Sequence, residues 1–171
     1  MKTPELKKHL LTIAITCLSV AGWTSSAEAR RGVGLGVGAG LAVPTAETPF
    51  ELAPAWGFYT DIPLLNTFHI TPSAIVYNLT PENGPSQSAT DISLNFKFMV
   101  PLGRLDIFAG VTAGVTSTTE LTPHMGGLVG ASMNLVSNID GFINVNYRYV
   151  AREQIVHDVQ IFAGPLFRFT H

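Results

Sequence analysis

Cysteine is nearly absent, and the chain's single thiol, Cys17, lies close to its start. Whatever folds beyond it must be held by packing and hydrogen bonding rather than by disulfides. Charge is scarce as well: Asp, Glu, Lys and Arg make up 13% of the 171 residues, against about 25% in ordinary soluble domains. A formal net charge of −2 offers no basic surface for nucleic acid. Long apolar runs are missing after residue 29, where none approaches the ~20 residues of a spanning helix. If this part of the chain crosses a bilayer, it must do so as a closed barrel of strands.

What is present begins with a leader. The basic opening "MKTPELKKH" precedes the apolar run "LLTIAITCLSVAGW" and then "TSSAEA", in which Ala27 and Ala29 form the small-residue pair of a signal-peptidase site. Residues 1–29 are expected to be a signal peptide and residues 30–171 one mature domain. The apolar run continues past Cys17 and Thr16 is a poor residue to precede a lipidated cysteine, so a lipoprotein anchor is disfavoured.

Strict period-two alternation dominates the rest. In "RRGVGLGVGAGLAVP" glycine occupies positions 32, 34, 36, 38 and 40, and apolar residues occupy the odd positions 33–43. Gly34, Gly36 and Ala39 fit a nucleotide-binding G-x-G-x-x-A, but Pro44 and a polar turn follow where an amphipathic helix is needed. A strand with one nearly empty face fits better. In "TDISLNFKFMVPL" Ile92, Leu94, Phe96, Phe98, Val100 and Leu102 alternate with Asp91, Ser93, Asn95 and Lys97. The segments "ELAPAWGFYTDI", "GFINVNYRYV" and "DVQIFAGPLFRF" behave alike, as do those near 105–115 and 125–136. Within "TFHITPSAIVYN", Pro72 cannot donate to a ladder, so a bulge is expected there and the facing beyond it is open.

Short breaks at 63–66, 101–104 and 137–141 alternate with longer or more polar ones at 44–49, 80–90, 116–123 and 151–158. Seven breaks separate eight strands, the rhythm of an all-β, up-and-down antiparallel barrel. Alternation alone fits either a soluble lipocalin-like barrel or a transmembrane one. The second face decides. It carries Gly, Ala, Ser, Thr and Asn with sparse charges, too few for a soluble exterior and suited to a narrow lumen. Trp56, Phe58, Phe68, Tyr147, Tyr149, Phe167 and Phe169 on the apolar face read as interfacial girdles near strand ends.

The ending "IFAGPLFRFTH" resembles the last strand of OmpA/OmpX-like eight-stranded outer-membrane barrels, with Ala163, Gly164, Phe167, Arg168 and Phe169 carrying the likeness. The departure is Thr170-His171, which displaces the aromatic from the terminus. The resemblance implies the outer membrane of a Gram-negative bacterium, lipopolysaccharide and phospholipid as surroundings, and Phe167 and Phe169 as a signal to the barrel assembly machinery. A monomer is expected, and such barrels are functionally diverse.

On the polar face Asp61, His69, Asp91, Lys97, Asp106, Arg148 and Arg168 are expected to form hydrogen-bonded, ion-paired networks plugging the lumen. The function expected is structural or interactive. A narrow, porin-like solute or ion channel is the first alternative, and a lipid A-modifying enzyme the second. For the latter, His69 and Thr71 share a strand face, but the late strands lack the H-x-S pattern of lipid A deacylases. His124 and His157 fall in expected loops with no second ligand at metal spacing. Neither cofactor, metal nor catalytic residue is expected.

Overall fold

The computed structural model describes residues 32–44, 52–80, 86–151 and 156–169. The signal peptide expected at residues 1–29 lies outside the described residues. Eight strands follow one another: β1 (Val33–Pro44), β2 (Ala53–Pro63), β3 (Phe68–Leu79), β4 (Gln87–Leu102), β5 (Leu105–Ser117), β6 (Leu121–Val136), β7 (Ile139–Val150) and β8 (Val156–Phe169). Each pairs antiparallel with the next, and β8 returns to β1, closing the barrel. Closure leaves no unpaired sheet edge.

The connections sort to two ends. At the turn end lie residues 64–67, 103–104 and 137–138, together with the start of β1 and the end of β8, where Val33 pairs with Phe169. The β4–β5 turn contains Gly103 at φ 75°, a left-handed conformation that a side chain disfavours. At the loop end lie Leu52, Thr80, Ser86, residues 118–120 and Ala151. Strands outrun the expected breaks here. The β5–β6 connection is only Thr118–Glu120, so His124 stands inside β6; His157 likewise stands inside β8. Both histidines were expected in loops, because polar residues near strand ends read as breaks.

Pro72 produces no bulge. β3 holds one register against β4 from Phe68↔Phe98 to Leu79↔Gln87. The missing donor is accommodated on the other side, where β2–β3 pairing lapses between Tyr59↔Ser73 and Ile62↔Ile70 without changing register. Pro165 faces a similar lapse in the β1–β8 ladder, between Gly36↔Leu166 and Ala39↔Ala163. Both prolines sit on the outward face, so alternation passes through each unbroken.

The polarity of the barrel is inverted relative to a soluble fold. Trp56 is 67% exposed on the outer wall, whereas Arg148 is 1% exposed within. Outside, Val37, Leu41, Ile92, Val111, Val129, Ile143 and Phe167 form an apolar surface; inside lie aspartates, histidines, asparagines and threonines. A wall of exposed Trp, Phe, Leu and Val is stable against hydrocarbon and unstable against water, which overturns the lipocalin-like alternative. Trp56 and Phe58 correct the girdle expectation, since they lie well inside β2 rather than at its end.

The lumen is also less uniformly small than the sequence suggested. Along β1 the glycines face inward, and a Cβ on Gly38 would meet Phe142 Cζ and Tyr59 Cε2 at 3.1 Å. One on Gly40 would collide with the Ile161 carbonyl oxygen of β8. The empty face of β1 therefore admits aromatic rings from β2 and β7. Tyr59 packs edge-on against Phe142 and Phe162, with centroids 5.0 and 6.0 Å away. Met99, Phe108 and Leu128 form a second apolar cluster. The space left by glycine is filled, not open.

Candidate functional site

Seen along the barrel axis, the interior is three-tiered: an ion network toward the loop end, apolar and aromatic side chains in the middle, and a second ion network toward the turn end.

The loop-end network is built around Arg148 of β7. Its Nε donates to Asp158 Oδ1 at 2.8 Å, its Nη2 pairs with Asp158 Oδ2, and its Nη1 pairs with Asp91 Oδ2. Arg148 and Asp158 are cross-strand partners in the β7–β8 ladder, whereas Asp91 reaches in from β4. The guanidinium lies over the Tyr77 ring, 5.9 Å from its centroid. Tyr77 Oη donates to Asp91 Oδ1 at 3.3 Å, and Gln160 Nε2 donates to Asp91 Oδ2 at 3.0 Å. A planar fork with several donors suits two carboxylates at once, as an ammonium would not. Nearby, His124 links Ser93 Oγ at its Nε2 (2.9 Å) to Thr116 Oγ1 at its Nδ1 (3.1 Å).

The turn-end network is built around Asp61 of β2. Thr71 Oγ1 donates to its Oδ1 at 2.9 Å and Lys97 Nζ to the same oxygen at 3.4 Å. His69 Nδ1 and Arg168 Nη1 lie 3.0 and 2.9 Å from Oδ2. Arg168 Nε also donates to Asp140 Oδ2 at 2.6 Å, and Asn134 Nδ2 to Asp140 Oδ1 at 3.1 Å. Lys97 lies over the Phe108 ring, 4.8 Å from its centroid, tying this network to the apolar tier.

Of the seven residues expected in the lumen, the structure brings Asp61, His69, Lys97 and Arg168 into one group, and Asp91 and Arg148 into another. Asp106 is buried and faces inward, opposite Ser132 in the β5–β6 ladder. Sequence reasoning missed Tyr77, Asp140, Asp158 and Gln160. Asp158 carried a usable signal: it stands symmetrically across the 151–155 connection from Arg148, where a hairpin pairs the two strands. Tyr77 lay beyond Pro72, where facing was open. His69 and Thr71 do share a face, but it points inward, and both spend their hydrogen bonds on Asp61. His157 sits at the outer wall, its Nδ1 2.7 Å from Tyr147 Oη. Among the described residues no group of His, Cys, Asp or Glu is arranged to hold a metal ion.

An apolar outer wall, a closed ladder and charges sealed within define the class: a transmembrane-type, up-and-down antiparallel β-barrel of eight strands. No protein-family model matches the chain, and no curated protein matches it in sequence. Solved structures do. Neisserial surface protein A superposes with a TM-score of 0.64 at 15% identity, over 81% of this chain and 97% of that one. The N-terminal β-barrel domain of Pseudomonas aeruginosa OprF superposes with a TM-score of 0.51 at 12% identity, over 80% of this chain and 97% of that one. At such identities the likeness is one of fold, and the fold is that of the OmpA/OmpX-like outer-membrane barrels that the last strand resembled.

Proposed function

We propose that residues 30–171, freed of a signal peptide at 1–29, form a monomeric barrel in the outer membrane of a Gram-negative bacterium, with a structural or interaction role and a plugged lumen. The observation that carries this reading is the three-tiered interior. Two ion networks with aromatic side chains between them occupy the axis along which a solute would travel, and an eight-stranded barrel has little interior to spare. The working surfaces are then the lipid-facing wall, suited to lipopolysaccharide and phospholipid, and the loop end.

Phe167 and Phe169, outward and exposed at the end of β8, suit a signal to the barrel assembly machinery. A non-enzymatic role accords with the inward, Asp61-bound His69 and Thr71, which a lipid outside the wall would not reach. The test joins three measurements on protein isolated from membranes and on cells that produce it. Unboiled samples should migrate differently from boiled ones on a gel, planar bilayers should show no steady openings, and lipid A mass should be unchanged. Recovery in the soluble periplasm would sink the placement. Steady openings altered by charge reversal at Arg148 would establish a channel, and a lipid A mass shift lost in His69→Ala would establish an enzyme.

A further inference from the structure

On the outer wall, the lapse in β2–β3 pairing at Pro72 lies within a groove. The ladders set Phe58, Ala74 and Ile92 in one outward row. Phe58 and Ile92 are 66% and 59% exposed, and the short Ala74 between them leaves a gap. Toward the turn end the next outward row is Leu35, Thr60 and Pro72, with Thr60 opposite Pro72 in the register that the lapse preserves. The space these residues line measures about 490 Å³, within the roughly 300–1,000 Å³ of ligand pockets. One polar group stands in it without an answer. The Thr60 hydroxyl has no hydrogen-bond partner among the described residues, and hydrocarbon supplies none.

We propose that this groove is a binding site for one acyl chain of a diacyl glycerophospholipid, with the Thr60 hydroxyl donating to the ester carbonyl at the head of that chain. The site rests on the outer-membrane placement proposed above, in which short turns face the periplasm. The groove is continuous with the apolar, lipid-facing wall, so the hydrocarbon that covers the wall also enters it. No charged side chain lines it, so a phosphate head group finds no counter-ion there and stays at the rim. Thr60 stands three residues before Pro63, where β2 ends, which is about 10 Å along the strand. At that depth the ester groups of the periplasmic leaflet meet the hydrocarbon core. An ester offers acceptors only, and the free hydroxyl is a donor. Lipopolysaccharide would have to come from the opposite leaflet, and a second barrel would present a convex wall that the Phe58 and Ile92 rims hold off.

The test titrates the full barrel, isolated from membranes into detergent, with dioleoyl phosphatidylglycerol and reads the complexes by native mass spectrometry. One lipid per barrel is expected. Ala74→Trp, which fills the groove, should abolish binding, whereas Val111→Trp, on the exposed outer face of β5, should leave it unchanged. An ether-linked analogue without the ester carbonyl should bind about fivefold more weakly, the worth of one neutral hydrogen bond. In Thr60→Val that difference should vanish, a comparison that does not depend on Ala74→Trp folding. Binding that survives Ala74→Trp, that is lost equally in Val111→Trp, or that favours lipopolysaccharide would overturn the site, as would equal binding of the ester and ether lipids. A doubled barrel mass that Ala74→Trp returns to one would assign the groove to a second copy and overturn the lipid. Migration of unboiled samples separates this failure from that of the placement. A folded band without lipid binding removes the site alone, and recovery in the soluble periplasm removes both.

Discussion

The two ion networks solve the same problem with opposite redundancy. Toward the loop end a single guanidinium, Arg148, answers two carboxylates, Asp91 and Asp158. Toward the turn end a single carboxylate, Asp61, is met by Lys97, Arg168, His69 and Thr71, and Arg168 has a second anion in Asp140. One network hangs from a cation that nothing duplicates among its described ion pairs, and the other from an anion with partners to spare. Burial sharpens the difference, because a charge left alone in a water-poor interior costs far more than the pair it belonged to was worth.

The largest effect should therefore follow from Arg148→Met. It strands two carboxylates, and the unfolding free energy in urea and phospholipid vesicles should fall by about 3–5 kcal/mol, the range for breaking a buried pair. Adding Asp91→Asn should recover part of that loss, because one stranded charge has gone. Full additivity of the two losses would mean that the residues are not coupled.

Asp61→Asn should come next. Arg168 keeps Asp140, but Lys97 loses the carboxylate it pairs with, so a loss of about 1.5–3 kcal/mol is expected, the value of hydrogen bonds to a charged group. The smallest change should be Lys97→Met, at about 1 kcal/mol or less, because Asp61 retains three other donors and the apolar stem is preserved over Phe108. If Lys97→Met cost as much as Arg148→Met, the contrast in redundancy would be wrong.

Much of the fold was legible in the sequence because a pleated strand writes its two faces into alternate residues. β1 shows this best: it puts Gly34, Gly36, Gly38 and Gly40 on one side and Val, Leu and Ala on the other. Strand ends were less legible. Thr116–Pro123 reads as a polar break, yet β5 runs to Ser117 and β6 starts at Leu121, because ladder hydrogen bonds are satisfied with polar side chains as well as apolar ones. The site was legible as a list of inward charges and illegible as a map. Arg148 meets Asp91 across 57 positions of sequence, a partnership set by how strands wrap around the barrel. Nor did alternation distinguish a glycine that opens a path from one that admits a ring, as Gly38 does for Phe142 and Tyr59.

The closing ladder between the first strand and the last carries a consequence in time. Val33 meets Phe169 only after nearly the entire barrel sequence has been delivered, and contacts so distant in sequence form slowly. β8 brings more than a missing edge. It supplies Arg168 to Asp61 and Asp140, and Asp158 and Gln160 to the Arg148 cluster. Until it docks, an unfinished barrel carries half-neutralised charges at both ends and an open row of backbone donors and acceptors along its seam. A single late event thus zips the wall and settles both interiors together, so completion is expected as one abrupt step from a leaky sheet to a sealed cylinder.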